Sequence, residues 1–192
     1  MIKKIIIFSL FVAVFTFSLN AEDLKRNSLG FEFGVIDSFW HIHTGDNHME
    51  VITISSIDLK LYYDFFVWKY FSIGPEISYF QTYEKGALKG YFIQFYSTRI
   101  DLRLKGVVPL IHDKMELFLL IRGGALISNS EGFGVSTKGF NVFGGLGFNY
   151  EIVKSLRIGA LNDTGYEQFT FNKPKDLGLH FIRFTIFIEY RL

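Results

Sequence analysis

Residues 100–105 read Ile100-Asp101-Leu102-Arg103-Leu104-Lys105, with an aliphatic side chain at every even position and a charged one at every odd position. A helix would scatter those charges around its circumference, whereas a strand sends successive side chains to opposite faces. The segment is therefore a strand with one apolar face and one ionic face. Extended outward, the phase gives a strand over 91–105, with Tyr96, Ile100, Leu102 and Leu104 against Arg99, Asp101, Arg103 and Lys105.

The same alternation recurs over 28–38, 51–65, 71–83, 115–128, 139–151, 155–166 and 177–192, which makes eight strands. The stretch 155–166 is the least regular. In 51–65 the phase slips, because Ile52 and Ile54 are even-numbered while Ile57, Leu59 and Leu61 are odd. A one-residue β-bulge at Ser55-Ser56 is expected to restore a single apolar face.

No position assigned to the apolar face is charged. The opposite face carries Glu32, Asp58, Asp64, Glu76, Asp101, Glu116, Glu151 and Glu189, matched by Lys60, Arg99, Arg103, Lys105, Arg122, Arg157, Arg183 and Arg191. Period alone does not say which face is inside. Aromatic residues at the strand ends decide it: Phe65, Phe66, Trp68, Tyr70 and Phe71 at one turn, and Phe39, Trp40, Tyr79, Phe80, Tyr83, Tyr91 and Phe92 towards the other end. Paired aromatic girdles bordering apolar strand faces of ~10 residues mark a membrane barrel with its charges inside. The expected fold is all-β, an eight-stranded antiparallel up-and-down transmembrane β-barrel.

The opening Met1-Ile2-Lys3-Lys4 and the apolar run that follows read as a secretory signal peptide over 1–21, leaving 22–192 as the barrel. Its removal takes away Lys3 and Lys4, so the remaining charge of about −1 excludes a basic nucleic-acid footprint. With no cysteine, neither a disulfide nor a lipidated cysteine is available. The joints near Val67-Trp68-Lys69, Val108-Pro109-Leu110 and Val153-Lys154 are short, and those over 40–50 and 167–176 are long. Short turns face the periplasm and long loops face outside.

The run Tyr70-Phe71-Ser72-Ile73-Gly74-Pro75-Glu76 and the closing alternation Phe184 to Leu192 resemble the small eight-stranded outer-membrane barrels, the group containing OmpA's membrane domain, OmpX and OmpW. The likeness covers the whole chain after the leader and is architectural. Such barrels usually end on an aromatic residue, whereas here Leu192 is last and Tyr190 is close by. The resemblance implies a cell outer membrane location, contact with lipid and the outer-membrane insertion machinery, and a monomer. OmpW-like function would be passive passage of small apolar molecules. The alternative is a non-conducting structural or adhesin-type barrel that meets host surface molecules through its loops.

Candidate chemistry is sparse. His41, His43 and His48 lie near Asp46, a donor set suited to zinc or copper, although a solvated His-rich loop explains the same residues. Gly144-Gly145-Leu146-Gly147 lacks the following helix of a dinucleotide fingerprint and reads instead as room made inside a narrow barrel. Some eight-stranded barrels modify lipids with a Ser, His and acid, but His41 and His43 have only Thr44 beside them. No enzyme and no cofactor is expected. Eight strands leave an interior that side chains can fill. The inward residues Glu32, Asp58, Lys60, Glu76, Arg99, Asp101, Arg103, Glu116, Arg122, Arg157, Arg183 and Glu189 are therefore expected to form a structural ion-pair network.

Overall fold

The computed structural model describes residues 27–44, 48–82, 86–88, 91–93, 95–110, 114–130, 135–170 and 177–192. The leader expected over 1–21 lies outside them. Ten strands follow in order: β1 (Ser28–Thr44), β2 (His48–Trp68), β3 (Phe71–Thr82), β4 (Gly86–Leu88), β5 (Tyr91–Ile93), β6 (Phe95–Leu110), β7 (Met115–Ser130), β8 (Val135–Val153), β9 (Leu156–Thr170) and β10 (Leu177–Arg191). Eight close into a barrel in the order β1-β10-β9-β8-β7-β6-β3-β2, all antiparallel, while β4 and β5 pair separately. The expected strand over 91–105 is thus two elements, and Val108-Pro109-Leu110 belongs to β6, with Leu110 opposite Met115.

The apolar side chains face outward. Ile100 is 65% exposed and Leu102 52%, while Arg103 between β6's two neighbours is 1% exposed. That is the reverse of a water-soluble barrel, and it fits a hydrocarbon surround. Phase is enforced by cost. A one-residue slip of β6 would turn Arg99, Arg103 and Lys105 into lipid, at roughly 2–4 kcal/mol for each cation near the midplane.

The start of β1 and the end of β10 meet at the short-turn rim. Leu192 N–H donates to the Asn27 carbonyl (2.8 Å), and Arg191 N–H to that of Ser155 (2.7 Å). Lys69-Tyr70 and Lys154-Ser155 are the tight turns at this rim, and Ser155 takes a left-handed φ of 72°. The irregular rungs lie beside these turns, between Phe66 and Trp68 and between Glu151 and Val153. An extra residue there adds the twist a tight hairpin needs.

The bulge expected at Ser55-Ser56 is not formed. Val35↔Ile57, Ile36↔Ser56, Asp37↔Ser55 and Ser38↔Ile54 pair without interruption. Ile54 stands ~35 Å above the Lys69 turn at ~3.3 Å per residue and ~45° tilt, beyond a ~25 Å apolar band. Lipid no longer selects the phase at that height. The first long loop is likewise mostly strand, since β1 and β2 pair as far as Thr44↔His48.

Pro75 breaks the β2–β3 ladder, which is registered at Tyr62↔Glu76 and again at Phe65↔Ile73. Beside it, a Cβ on Gly74 would lie 1.6 Å from the Tyr63 carbonyl oxygen, a backbone atom that cannot rotate away. A Cβ on Gly106 would meet nothing within 4 Å. Gly74→Ala should therefore sharply lower the yield of folded barrel on refolding into bilayers, read as the gel-mobility shift of unheated protein. Gly106→Ala should match wild type, and equal yields for the two would contradict this packing.

Candidate functional site in the barrel lumen

The phase that turns aliphatics to lipid turns seventeen charged side chains inward, each no more than 9% exposed. The acids are Glu32, Asp58, Asp64, Glu76, Asp101, Glu116, Asp163, Glu167 and Glu189; the bases are Lys60, Arg99, Arg103, Lys105, Arg122, Arg157, Arg183 and Arg191. All twelve residues expected in a lumen network are among them.

Most of these groups join one chain of alternating sign. From the loop end, Glu167 Oε1 lies 2.5 Å from Arg99 Nε, an ion pair by distance without hydrogen-bond alignment. Arg99 then reaches Asp58 (3.3 Å), Asp58 reaches Arg183 (2.8 Å), and Arg183 reaches Asp163 (3.0 Å). Asp163 contacts Arg122, which pairs with Glu76 at 3.0 Å, and Glu76 accepts from Arg103 at 2.5 Å. Arg103 continues to Asp64 (3.3 Å), Lys105 (3.5 Å) and Glu189 (2.6 Å) in turn. Arg191 links Glu189 (3.5 Å) to Glu116 (2.6 Å), and Arg157 links Glu116 (2.8 Å) to Glu151 (3.1 Å) at the rim. Asp101 sits beside this chain and accepts from Asn141 (2.9 Å).

The centre resolves a local conflict. Arg103 and Arg122 face each other directly across β6 and β7, and Glu76 faces Asp101 across β3 and β6. Like charges in opposed positions repel. Glu76 answers this by accepting from both guanidinium groups, and Glu32 does the same from β1, at 2.8 Å to Arg103 and 3.5 Å to Arg122. Lys60 closes the group on Glu32 at 2.8 Å.

Aromatic rings fill the space between the ions. Arg183 lies 3.6 Å from the centroid of Phe143, and Arg103 3.7 Å from that of Tyr62, distances at which the ring face attracts the cation. Each ring sits over a glycine on the adjoining strand, Phe143 on Gly165 and Tyr62 on Gly30; likewise Phe118 lies on Gly147 and Phe187 on Gly159. A Cβ at any of the four would come within 2.3 Å of a ring atom. Gly147, from the glycine-rich run, thus makes room for a ring. Nearer the short turns, Phe66, Val107, Phe118, Leu120, Leu161 and Phe187 form a buried apolar layer inside the barrel.

Asp163 and Glu167 were missed in the sequence because 155–166 shows weak alternation: Asn162 and Thr164 interrupt its outer face, and Leu161 lies inside. The signal was the inward parity of Arg157, which Asp163 and Glu167 share. For the metal set, the register puts His41 opposite Val51, His43 opposite Met49 and His48 opposite Thr44. Asp46 and the three imidazoles lie outside the described residues.

No family model and no curated protein matches the chain. Among solved structures, Neisserial surface protein A (NspA) is similar at a TM-score of 0.61 and 8% identity, over 86% of this chain and 97% of that one. The N-terminal β-barrel domain of Pseudomonas aeruginosa OprF gives 0.45 at 12% identity, over 86% and 98%. Ail of Yersinia pestis gives 0.38 at 13%, over 85% and 99%. At such identities the likeness is one of fold, and NspA carries it. Together with the lipid-facing exterior, it makes this chain a small eight-stranded β-barrel of the bacterial outer membrane.

Glu76→Ala should cost roughly 3–5 kcal/mol in urea unfolding from bilayers, because it leaves Arg103 and Arg122 opposed with Glu32 alone between them. Leu102→Arg on the lipid face should cost ~2–4 kcal/mol near the midplane. Wild-type stability in both would mean that inside and outside are wrongly assigned.

Proposed function

We propose that this protein is a non-conducting, non-catalytic outer-membrane barrel that acts through the strands it raises above the bilayer. The observation that carries this reading is the filled lumen, where an ion chain contributed by all the barrel strands adjoins an apolar layer. An aqueous path needs wetted polar surface, and the central ions Glu32, Arg99, Arg103, Arg122 and Arg183 are 1–2% exposed.

Above the bilayer there is material to act with. A tilted strand of ~9–11 residues crosses the membrane, whereas β1 has 17 residues, β2 21 and β8 19. Beyond Val35 the described part of β1 pairs with β2 alone, which leaves a ribbon edge open to backbone hydrogen bonding by a macromolecular partner.

One observation favours a second reading, lateral passage of small apolar solutes from the mouth into the outer leaflet. The β1–β10 rungs end at Val35↔Phe184, about 19 Å above the short turns, although both strands continue. Planar-bilayer recording should show no steady conductance from the folded protein, and a steady open level would overturn the non-conducting reading. An Asp37→Cys/Ile182→Cys staple across the upper seam separates the two routes. Uptake of an apolar fluorophore into vesicles that falls on oxidation and returns on reduction would support the lateral route over the surface-acting one.

A further inference from the structure

The lipid face of the barrel is aliphatic or aromatic at mid-depth except on one wall. Asn162 on β9 is exposed on the outer face, between Leu146 of β8 and Phe184 of β10 on its rung. Thr164 follows two residues above on the same face, opposite Gly144. Asn162 stands about 15 Å above the Lys154-Ser155 turn, near the middle of the apolar band. Among the described residues its amide has no side-chain hydrogen-bond partner, in a solvent of acyl chains that offers none. Leu146 beside it is 68% exposed, more than any other large apolar residue described, and adjoins the low surface at Gly144.

We propose that this wall, centred on Asn162, is the contact between two copies of the chain in the membrane, in place of the monomer expected from the sequence. The occupant follows from symmetry and donor chemistry. Two barrels inserted in the same direction are related by an axis along the membrane normal, which brings identical residues to identical depth. A side chain on that axis must satisfy itself, and a primary amide does, its N–H donating to the carbonyl oxygen of its copy. Gly144, diagonal to the amide, leaves the surface low beside it, and association in lipid depends on close packing and polar contacts rather than on hydrophobic burial.

The absence of cysteine makes the test clean. Leu146→Cys places a single thiol beside Asn162, and Leu61→Cys places one on the opposite wall, 49% exposed. In purified protein reconstituted at a high lipid ratio, a short bis-thiol reagent should capture Leu146→Cys as a dimer well above Leu61→Cys. Adding Asn162→Leu should bring capture down to the Leu61→Cys level, while Asn162→Gln, which keeps an amide, should retain it. Asn162→Leu removes only a polar group from lipid, so its barrel should fold, as the gel-mobility shift will show. Equal capture at the two walls overturns the proposal, as does capture indifferent to Asn162→Leu. Adducts formed in native membranes with another protein, and none with a second copy in the purified system, overturn it as well.

Discussion

The barrel depends on a lumen in which every buried cation shares a carboxylate. Burying an ion costs several kcal/mol that a single partner in a dry site does not fully return, so an isolated pair would be a weak element. Here the groups are shared: Glu76 serves Arg103 and Arg122, Asp58 serves Arg99 and Arg183, and Glu116 serves Arg157 and Arg191. Each carboxylate bridges cations from different strands, so the ions act as cross-ties over the barrel's width. The ladder hydrogen bonds join neighbouring strands only. The charges also supply what the ladder lacks, a strong penalty for the wrong face, since a slipped strand would carry its cations into lipid.

The rings and glycines follow from that requirement. Guanidinium groups brought together in a narrow tube need apolar filling that still tolerates charge, and an aromatic face provides it. A ring as large as Phe143 fits only if the wall opposite gives up a side chain, which is what Gly165 does. Between the central ions and those of the short-turn rim, Phe118 meets Phe187 edge-on at 5.6 Å between centroids. The filling therefore changes character along the axis, ionic through the middle, apolar at Phe118 and Phe187, and ionic again at the rim, where Arg157 and Arg191 share Glu116.

Much of this was legible in the residues because lipid imposes a binary rule at each strand position. Where that rule is strict, as over 100–105, face, phase and ionic role could all be read from parity. Where it relaxes, the reading failed. Above the bilayer nothing penalises the phase of Ile52 and Ile54, so the slip at Ser55-Ser56 suggested a bulge that regular pairing replaces. On β9 the rule is broken at both faces, with Leu161 inside and Asn162 outside, and Asp163 and Glu167 were lost with it. Which carboxylate meets which cation was legible only in part: Glu32–Lys60, Asp163–Arg183 and Glu151–Arg157 are directly opposed on neighbouring strands, whereas the other contacts run diagonally or across the lumen. At the centre, direct opposition pairs like charges, Arg103 with Arg122 and Glu76 with Asp101, so the partners there come from elsewhere.

A lumen committed to cross-ties leaves the protein little interior in which to do chemistry, so selection for function falls on surfaces the fold does not need. The wall that faces lipid needs only to be apolar, and any position there that is not apolar costs free energy without helping the barrel close. Asn162 is of that kind, and it stands on the same outer face as residues that obey the rule. The mouth is free in a different way, because strands longer than the bilayer requires do not add to the membrane-embedded wall. The extended β1–β2 ribbon and Asn162 on β9 are thus two places, among the described residues, where the sequence departs from what an inert barrel would need. One faces water and the other faces lipid, and a partner at either would leave undisturbed the ion chain that ties the strands together.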